Sequence, residues 1–332
     1  MTKLMVTTDS SIAGAVQQAG LADLVIAIER RLVWGRLPSA AECEAFFAPR
    51  TTQPQGLHWL DDTPSWLLEE SGVKDRGFME LLGEYDKVEF WRGPAPNAQL
   101  ILLWLLDHWR RGTATASSNF TLRPLHPAVG DIDPQELARP YPFVNEIEPH
   151  DFKLASLAWQ AYRAPTPESW HNLFKNNPVL LPQLGPCVTA LLEELPNCAS
   201  GLSATECRIL KLIQRGGVLP LDVLNRANRH VLPVYGYWEV GALLDGLARC
   251  GRPAVSGLDE GPFSLEMHND PVRFDRYKRS QLSLTEFGKA VLGGDQDFRR
   301  HNPIDRWWGG THLTNERLWR WDSETHAVVA PG

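Results

Sequence analysis

Short apolar runs alternate with helical repeats over the first third of the chain. Leu4–Thr7 is apolar with β-branched residues and predicts a strand. Asp9, Ser10 and Ser11 then offer caps for a helix through Gln18, and Gly20 stops it. Leu24–Ile28 predicts a second strand. The pattern returns with a strand over Val88–Trp91, a break at Pro94 and Pro96, and a helix from an Asn97 cap through Arg110. Asn119–Arg123 is one more strand. Strands separated by helices predict an α/β domain with a parallel or mostly parallel sheet over residues 1–128.

Residues 129–200 read as a linker followed by a helical connector. The stretch Pro124–Pro142 is rich in Pro, Asp and Gly, and the pattern from Asp151 to Leu195 is helical. Residues 201–300 open on Ser203-x-x-Glu206, a capping box ahead of an apolar-periodic helix. Helices over Leu221–Arg229 and Tyr237–Ala248 follow, then "RPAVSGL", "FSLEM" and "QLSLTEFGKAVL". Three helices, a β-ribbon and a short closing helix predict a winged helix-turn-helix-like domain. Residues 301–332 form a Trp-rich segment.

Composition narrows the class. Hydrophobic content of 43% with 22% charged residues suits a folded chain. Net charge is −7, which argues against indiscriminate binding to nucleic acid or anionic membrane. The acidity lies in the first 200 residues, with 24 Asp/Glu against 16 Lys/Arg; from Gly201 onward the counts are 16 and 17. The five cysteines are odd in number and lack C-x-x-C spacing, so a reducing cytoplasm is expected. "MTKLMVTTDSS" lacks the long apolar stretch expected of a signal peptide, and the apolar run Leu100–Leu106 ends at Asp107, too short to span a bilayer.

Four places carry candidate chemistry. Asp9 and Ser10 follow the first strand, where a base or ligand-binding group is expected in an open α/β sheet; helix capping alone also explains them. Arg92, Asn97 and Gln99 lie after a later strand, where a cation and a helix N-terminus suit an anion; a Pro-rich loop with an Asn cap is the structural alternative. The third predicted helix of the winged region carries Glu239 and Asp245, so nucleic-acid contact is expected instead from Arg273, Arg276, Lys278 and Arg279, on or near the wing. The fourth place is "IDRWWGGTHLTNERLWRWD", Ile304–Asp322. Its Trp residues read as a fastener, while Arg306, Trp308, His312 and Arg320 among them also suit a pocket wall, with His312 a candidate acid. His301, Asp305 and His312 lack metal-site spacing, and neither G-x-G-x-x-G nor a P-loop occurs, so neither metal nor cofactor is expected.

The chain resembles a bacterial family whose N-terminal region is known as domain of unknown function 1835. "TTDSSIAGAVQQAG", "PNAQLILLWLLDHW", "LAWQAYRAPTPESW", "LPNCASGLSATECRILKLI", "LSLTEFGKAVLGG" and above all the Trp-rich tail carry the resemblance over nearly the full length. It implies no reaction. It also implies Gly-Asp-Ser after the first strand, where Thr8-Asp9-Ser10 stands, and an acidic and histidine cluster where Arg92, Gly93 and Pro94 stand. The leading expectation is a cytoplasmic binding or regulatory protein with protein, nucleic-acid or anionic small-molecule partners and no membrane association. The alternative is a hydrolase or transferase on a phosphorylated or nucleotide-like molecule.

Overall fold

The computed structural model describes residues 1–50, 58–69, 72–73, 75–112, 120–124, 137, 145–176, 184–229 and 231–332. The chain divides into two compact units. One is built mainly on Met1–Leu32 and Leu37–Tyr162, the other on Val33–Arg36, Arg163–Pro178 and Gly185–Gly332. The predicted helical connector is therefore shared out between them. Most of the predicted linker lies outside the described residues.

In the first unit, β1 (Lys3–Thr7), β2 (Leu24–Ala27), β3 (Lys87–Arg92) and β4 (Phe120–Pro124) form a parallel sheet, and β5 (Asn145–Glu146) adds an antiparallel edge. The order is β2-β1-β3-β4-β5. Helix α1 (Ser10–Gln18) starts where Asp9 accepts the amides of Ser11 and Ile12 at 2.8 and 3.0 Å. It ends in a Schellman turn: Gly20 sits at φ +62°, its N–H bonds Gln17 O, and the Leu21 N–H bonds Val16 O. The apolar stripe Ile12, Ala13 and Val16 packs with Met5, Val25, Ala27 and Trp91 of one sheet face.

Between β2 and β3 run α2 (Ala40–Phe47), α3 (Trp59–Asp62) and α4 (Phe78–Gly83). Helix α5 (Pro96–Gly112) packs on β3 and against α6 (Pro149–Tyr162). Leu100 through Leu106 are all buried, as expected of a helix that is apolar all round. Asp107, which interrupts the run, is buried too, and α6 satisfies it. Ser156 donates to Oδ1 at 2.5 Å, and Gln160 to Oδ2 at 3.4 Å. Among the described residues no helix is long and apolar enough to cross a membrane.

The second unit contains α7 (Glu168–Asn176), α8 (Leu184–Leu192), α9 (Ala204–Gln214), α10 (Pro220–Arg226) and α11 (Tyr237–Ala248). The capping box forms as predicted: the Glu206 N–H reaches the Ser203 hydroxyl, and the Ser203 N–H reaches Glu206 Oε2 at 2.7 Å. A two-stranded ribbon then pairs β6 (Val255–Ser256) with β7 (Ser283–Leu284). The segment between them is helical. "FSLEM" supplies α12 (Leu265–Asn269), and Arg273, Arg276, Lys278 and Arg279 lie on α13 (Pro271–Arg279). Asp270 caps α13 by accepting the amides of Val272 and Arg273, with Pro271 in the first turn. Helix α14 (Glu286–Gly293) follows the ribbon.

The tail folds as two hairpins, β8 (Arg306–Trp308) with β9 (Thr311–Leu313), and β10 (Arg320–Asp322) with β11 (Ala327–Val329). The Gly309-Gly310 pair is the turn of the first hairpin. Trp308, Trp319 and Trp321 are buried, whereas Leu318 and Arg320 are only partly covered. Gly309 sits at φ +53°, and a Cβ on Gly310 would lie 2.0 Å from the Arg163 carbonyl oxygen. Gly310→Ala therefore forces two backbones apart and is expected to cost at least about 1–3 kcal/mol. Gly309→Asn needs only a left-handed conformation that Asn tolerates, and should cost less. Urea unfolding of the two variants checks this; equal midpoints would refute the close-approach argument.

Candidate functional site

The order β2-β1-β3-β4 creates a topological switch point. From β1 the chain crosses to β2 on one side, and from β3 it crosses to β4 on the other. In such sheets the carboxyl ends of the two central strands frame a crevice where ligands bind. The register aligns Thr7 with Trp91, so the loops beginning at Thr8 and Gly93 leave the sheet side by side. Asp9 and Ser10 belong to the first loop, and Arg92 ends the strand before the second. Sequence reasoning thus placed these three residues on one sheet edge.

Local bonding limits what each can do. Asp9 is exposed and spends Oδ1 on two helix N–H groups. The Ser10 N–H is taken by Glu29 Oε1 at 3.0 Å, a contact to the loop after β2 that the sequence did not reveal. Asn97 is buried but does not cap α5, which begins at Pro96. Its Oδ1 accepts the Leu32 amide at 2.7 Å and its Nδ2 donates to Arg30 O at 2.9 Å. Gln99, also buried, donates to Gly93 O at 2.8 Å. Both amides therefore fix the loops that rim the crevice. Arg30, whose carbonyl accepts from Asn97, pairs its guanidinium with Asp62 at 3.0 and 3.2 Å in the segment after β2. Burial pushes the Asp62 carboxyl above its usual range despite that partner.

One group at this edge was not anticipated. Thr7, the last residue of β1, is fully buried, and its hydroxyl has no hydrogen-bond partner among the described residues. A buried orphan hydroxyl costs about 1–3 kcal/mol, which a ligand or water at the strand end would recover. On the same sheet face, Glu89 is buried between Lys3 and Lys87, each at 2.9 Å, and accepts the Trp91 indole N–H at 2.9 Å. Burial raises its pKa, but Lys87, Trp91 and Lys3 outweigh burial and hold it at about 2. It is a structural anion, not a base at neutral pH.

The candidates in the second unit are bound up with neighbours. Arg306 is partly buried, with Glu206 at 3.6 Å and the Glu194 carbonyl at 3.4 Å. Trp308 donates its indole N–H to Leu191 O at 2.6 Å, and Arg320 bonds Asn197 O and Asp297 Oδ2 at 2.9 and 2.6 Å. His312 stacks on Trp307 with centroids 4.5 Å apart, and its Nε2 lies 2.6 Å from an exposed Asp305 oxygen. On α13, Arg273 and Arg276 meet Glu260 at 3.1 and 3.7 Å; Lys278 and Arg279 meet Asp275 at 3.7 and 2.9 Å. The four cations thus share two carboxylates. Among the described residues no three His, Cys, Asp or Glu side chains gather as a metal-holding group. In comparisons with known proteins, no family model and no curated protein matches the chain.

Proposed function

We propose that this chain is a cytoplasmic binding or regulatory protein that holds an anionic, nucleotide-like ligand at the β1–β3 sheet edge. The observation that carries the reading is the adjacency of the two strand ends, Thr7 beside Trp91, with Asp9-Ser10 and Arg92 following them. The orphan Thr7 hydroxyl supports it. In this reading Arg92 supplies positive charge and the Ser10 side chain a hydrogen bond. The cytoplasmic assignment rests on the odd set of five cysteines. Kinship with the 1835 family belongs to the same proposal.

We further infer that α9, α10 and α11, with the β6–β7 ribbon and α14, act as a winged-helix-like contact module. Its third helix suits a protein better than DNA. Glu239 and Asp245 are buried, accepting the amides of Gly236 and Phe263, while Trp238 at 43% exposed is the large group that α11 offers outward. The competing enzyme reading needs an acid-base pair. Asp9 is its candidate base, and the two amides on Oδ1 favour a capping role instead.

Mass spectrometry of molecules co-purifying with the native protein tests the ligand, followed by titration with AMP as the probe. Arg92→Gln is expected to weaken binding about tenfold or more, the usual loss for one charge-assisted contact. Unchanged affinity in that variant, with native circular dichroism, would remove the sheet-edge site. Turnover of the bound molecule by wild type but not by Asp9→Asn would favour the enzyme.

A further inference from the structure

A second cationic site lies in the second unit, on residues outside every candidate considered so far. Arg208 and Lys211 on helix α9 and Arg215 at its C-cap follow spacings of three and four, which puts them on one face. Arg226, in the last turn of α10, and Arg229 just beyond it face the same space. Together with Leu212 and Ala227 these residues line a cleft of about 310 Å³.

The five cations are not equivalent. Arg208 is committed: its Nε donates to Ala227 O at 3.0 Å, and its Nη2 meets Thr205 Oγ1 at 2.6 Å and Glu194 at 3.4 Å. These bonds tie α9 to the end of α10 and fix the cleft wall. The side chains of Lys211, Arg215, Arg226 and Arg229 make no hydrogen bond or ion pair with a described residue. That is unlike much of the unit, where Arg273, Arg276, Arg279, Lys289, Arg299 and Arg320 each meet a carboxylate. A chain of net charge −7 has carboxylates to spare, yet none of the described ones pairs with these four. Like charges gathered in a concavity repel one another, and that cost is recovered only when an anion enters.

We propose that the α9–α10 cleft binds a small ligand carrying two or more adjacent phosphates. Guanidinium groups match phosphate oxygens in pairs, and three Arg with one Lys can engage neighbouring phosphates together. The volume stands at the small end of ligand cavities, enough for a phosphate chain with a compact head against Leu212 and Ala227. A duplex is instead read by an element that protrudes into a groove, so a concave site off the third helix favours the small ligand. This site is independent of the sheet-edge reading.

The test is calorimetric titration with inorganic tripolyphosphate, and with ATP as a second arm, at about 0.15 M salt. Lys211→Gln/Arg226→Gln is expected to weaken both about tenfold or more. Lys211 and Arg226 are exposed and unpaired, so the unfolding midpoint of this variant should match wild type. Equal affinity for the two probes identifies the phosphates alone as the determinant, and tighter ATP binding identifies a nucleotide; both support the proposal. No binding of either, or unchanged binding in the double variant, overturns it. Loss in Arg92→Gln but not in the double variant overturns it while upholding the sheet edge. Duplex DNA binding more tightly than tripolyphosphate, and lost in the double variant, would make the cleft a nucleic-acid surface instead.

Discussion

A chain ended after Asn302 is expected to lose the cooperative unfolding of its second unit. The residues removed include Trp308, Trp319 and Trp321, which are 4%, 7% and 5% exposed. Truncating one buried aromatic to Ala costs about 3–5 kcal/mol, against a total domain stability of about 5–15 kcal/mol. Removing three such anchors together therefore exhausts the stability of the unit. The backbone would suffer too, because the Trp321 N–H bonds Pro196 O at 3.0 Å and its carbonyl accepts the Cys198 N–H at 3.2 Å. Thermal unfolding followed by near-ultraviolet circular dichroism is the measurement. A truncated chain that melts with the full-length one would mean the Trp cluster is no fastener.

Glu206→Ala is expected to cost about 3–5 kcal/mol, because removing one partner of a buried ion pair strands the others. Glu206 is buried, 2.6 Å from Arg299 Nη2 and 3.6 Å from Arg306 Nη1. Burial alone would raise its pKa, but Arg299 and Arg306 hold it at about 2. Glu194 nearby goes the other way, since burial outweighs Thr205 and Arg208 there. A depressed carboxylate stabilises the fold above its unfolded pKa and loses that contribution as pH falls through the folded value. For Glu206 the window runs from about 4.3 down to about 2. Urea midpoints of wild type and Glu206→Ala should thus converge as the pH drops through that window. A gap that stays constant would show that the charge of Glu206 contributes nothing to stability.

The elements legible in the sequence were those whose ends carry local chemistry. The Asp9 cap, the Gly20 stop and the Ser203–Glu206 box each mark an end by bonds within a few residues, and each stands where expected. The parallel sheet was legible because strands alternate with helices, whereas the order that sets β1 beside β3 has no local signal. Misreadings arose where local signals competed. Asp270-Pro271 is a helix start inside a segment that the apolar pattern alone does not mark as helical. Asn97 resembles a cap, but the Leu32 amide and the Arg30 carbonyl claim it from 65 and 67 residues away. Such long-range partners have no sequence period. The same holds for the cleft: Arg208, Lys211 and Arg215 follow a visible helical spacing, but nothing along the chain announces that Arg226 and Arg229 join them.

The bonds of the tail also set an order of events during synthesis. Trp308 reaches Leu191 across 117 positions, and Thr311 reaches Ala164 across 147. Chains fold as they emerge, N-terminal segments first, and distant pairings are slow to close. The helices from α7 to α14 must therefore wait for residues 306–321 before their apolar faces are sealed. During that interval the first unit, whose sheet is complete by Glu146, can already be folded. The parallel sheet would thus be complete before the chain that closes the second unit has been made.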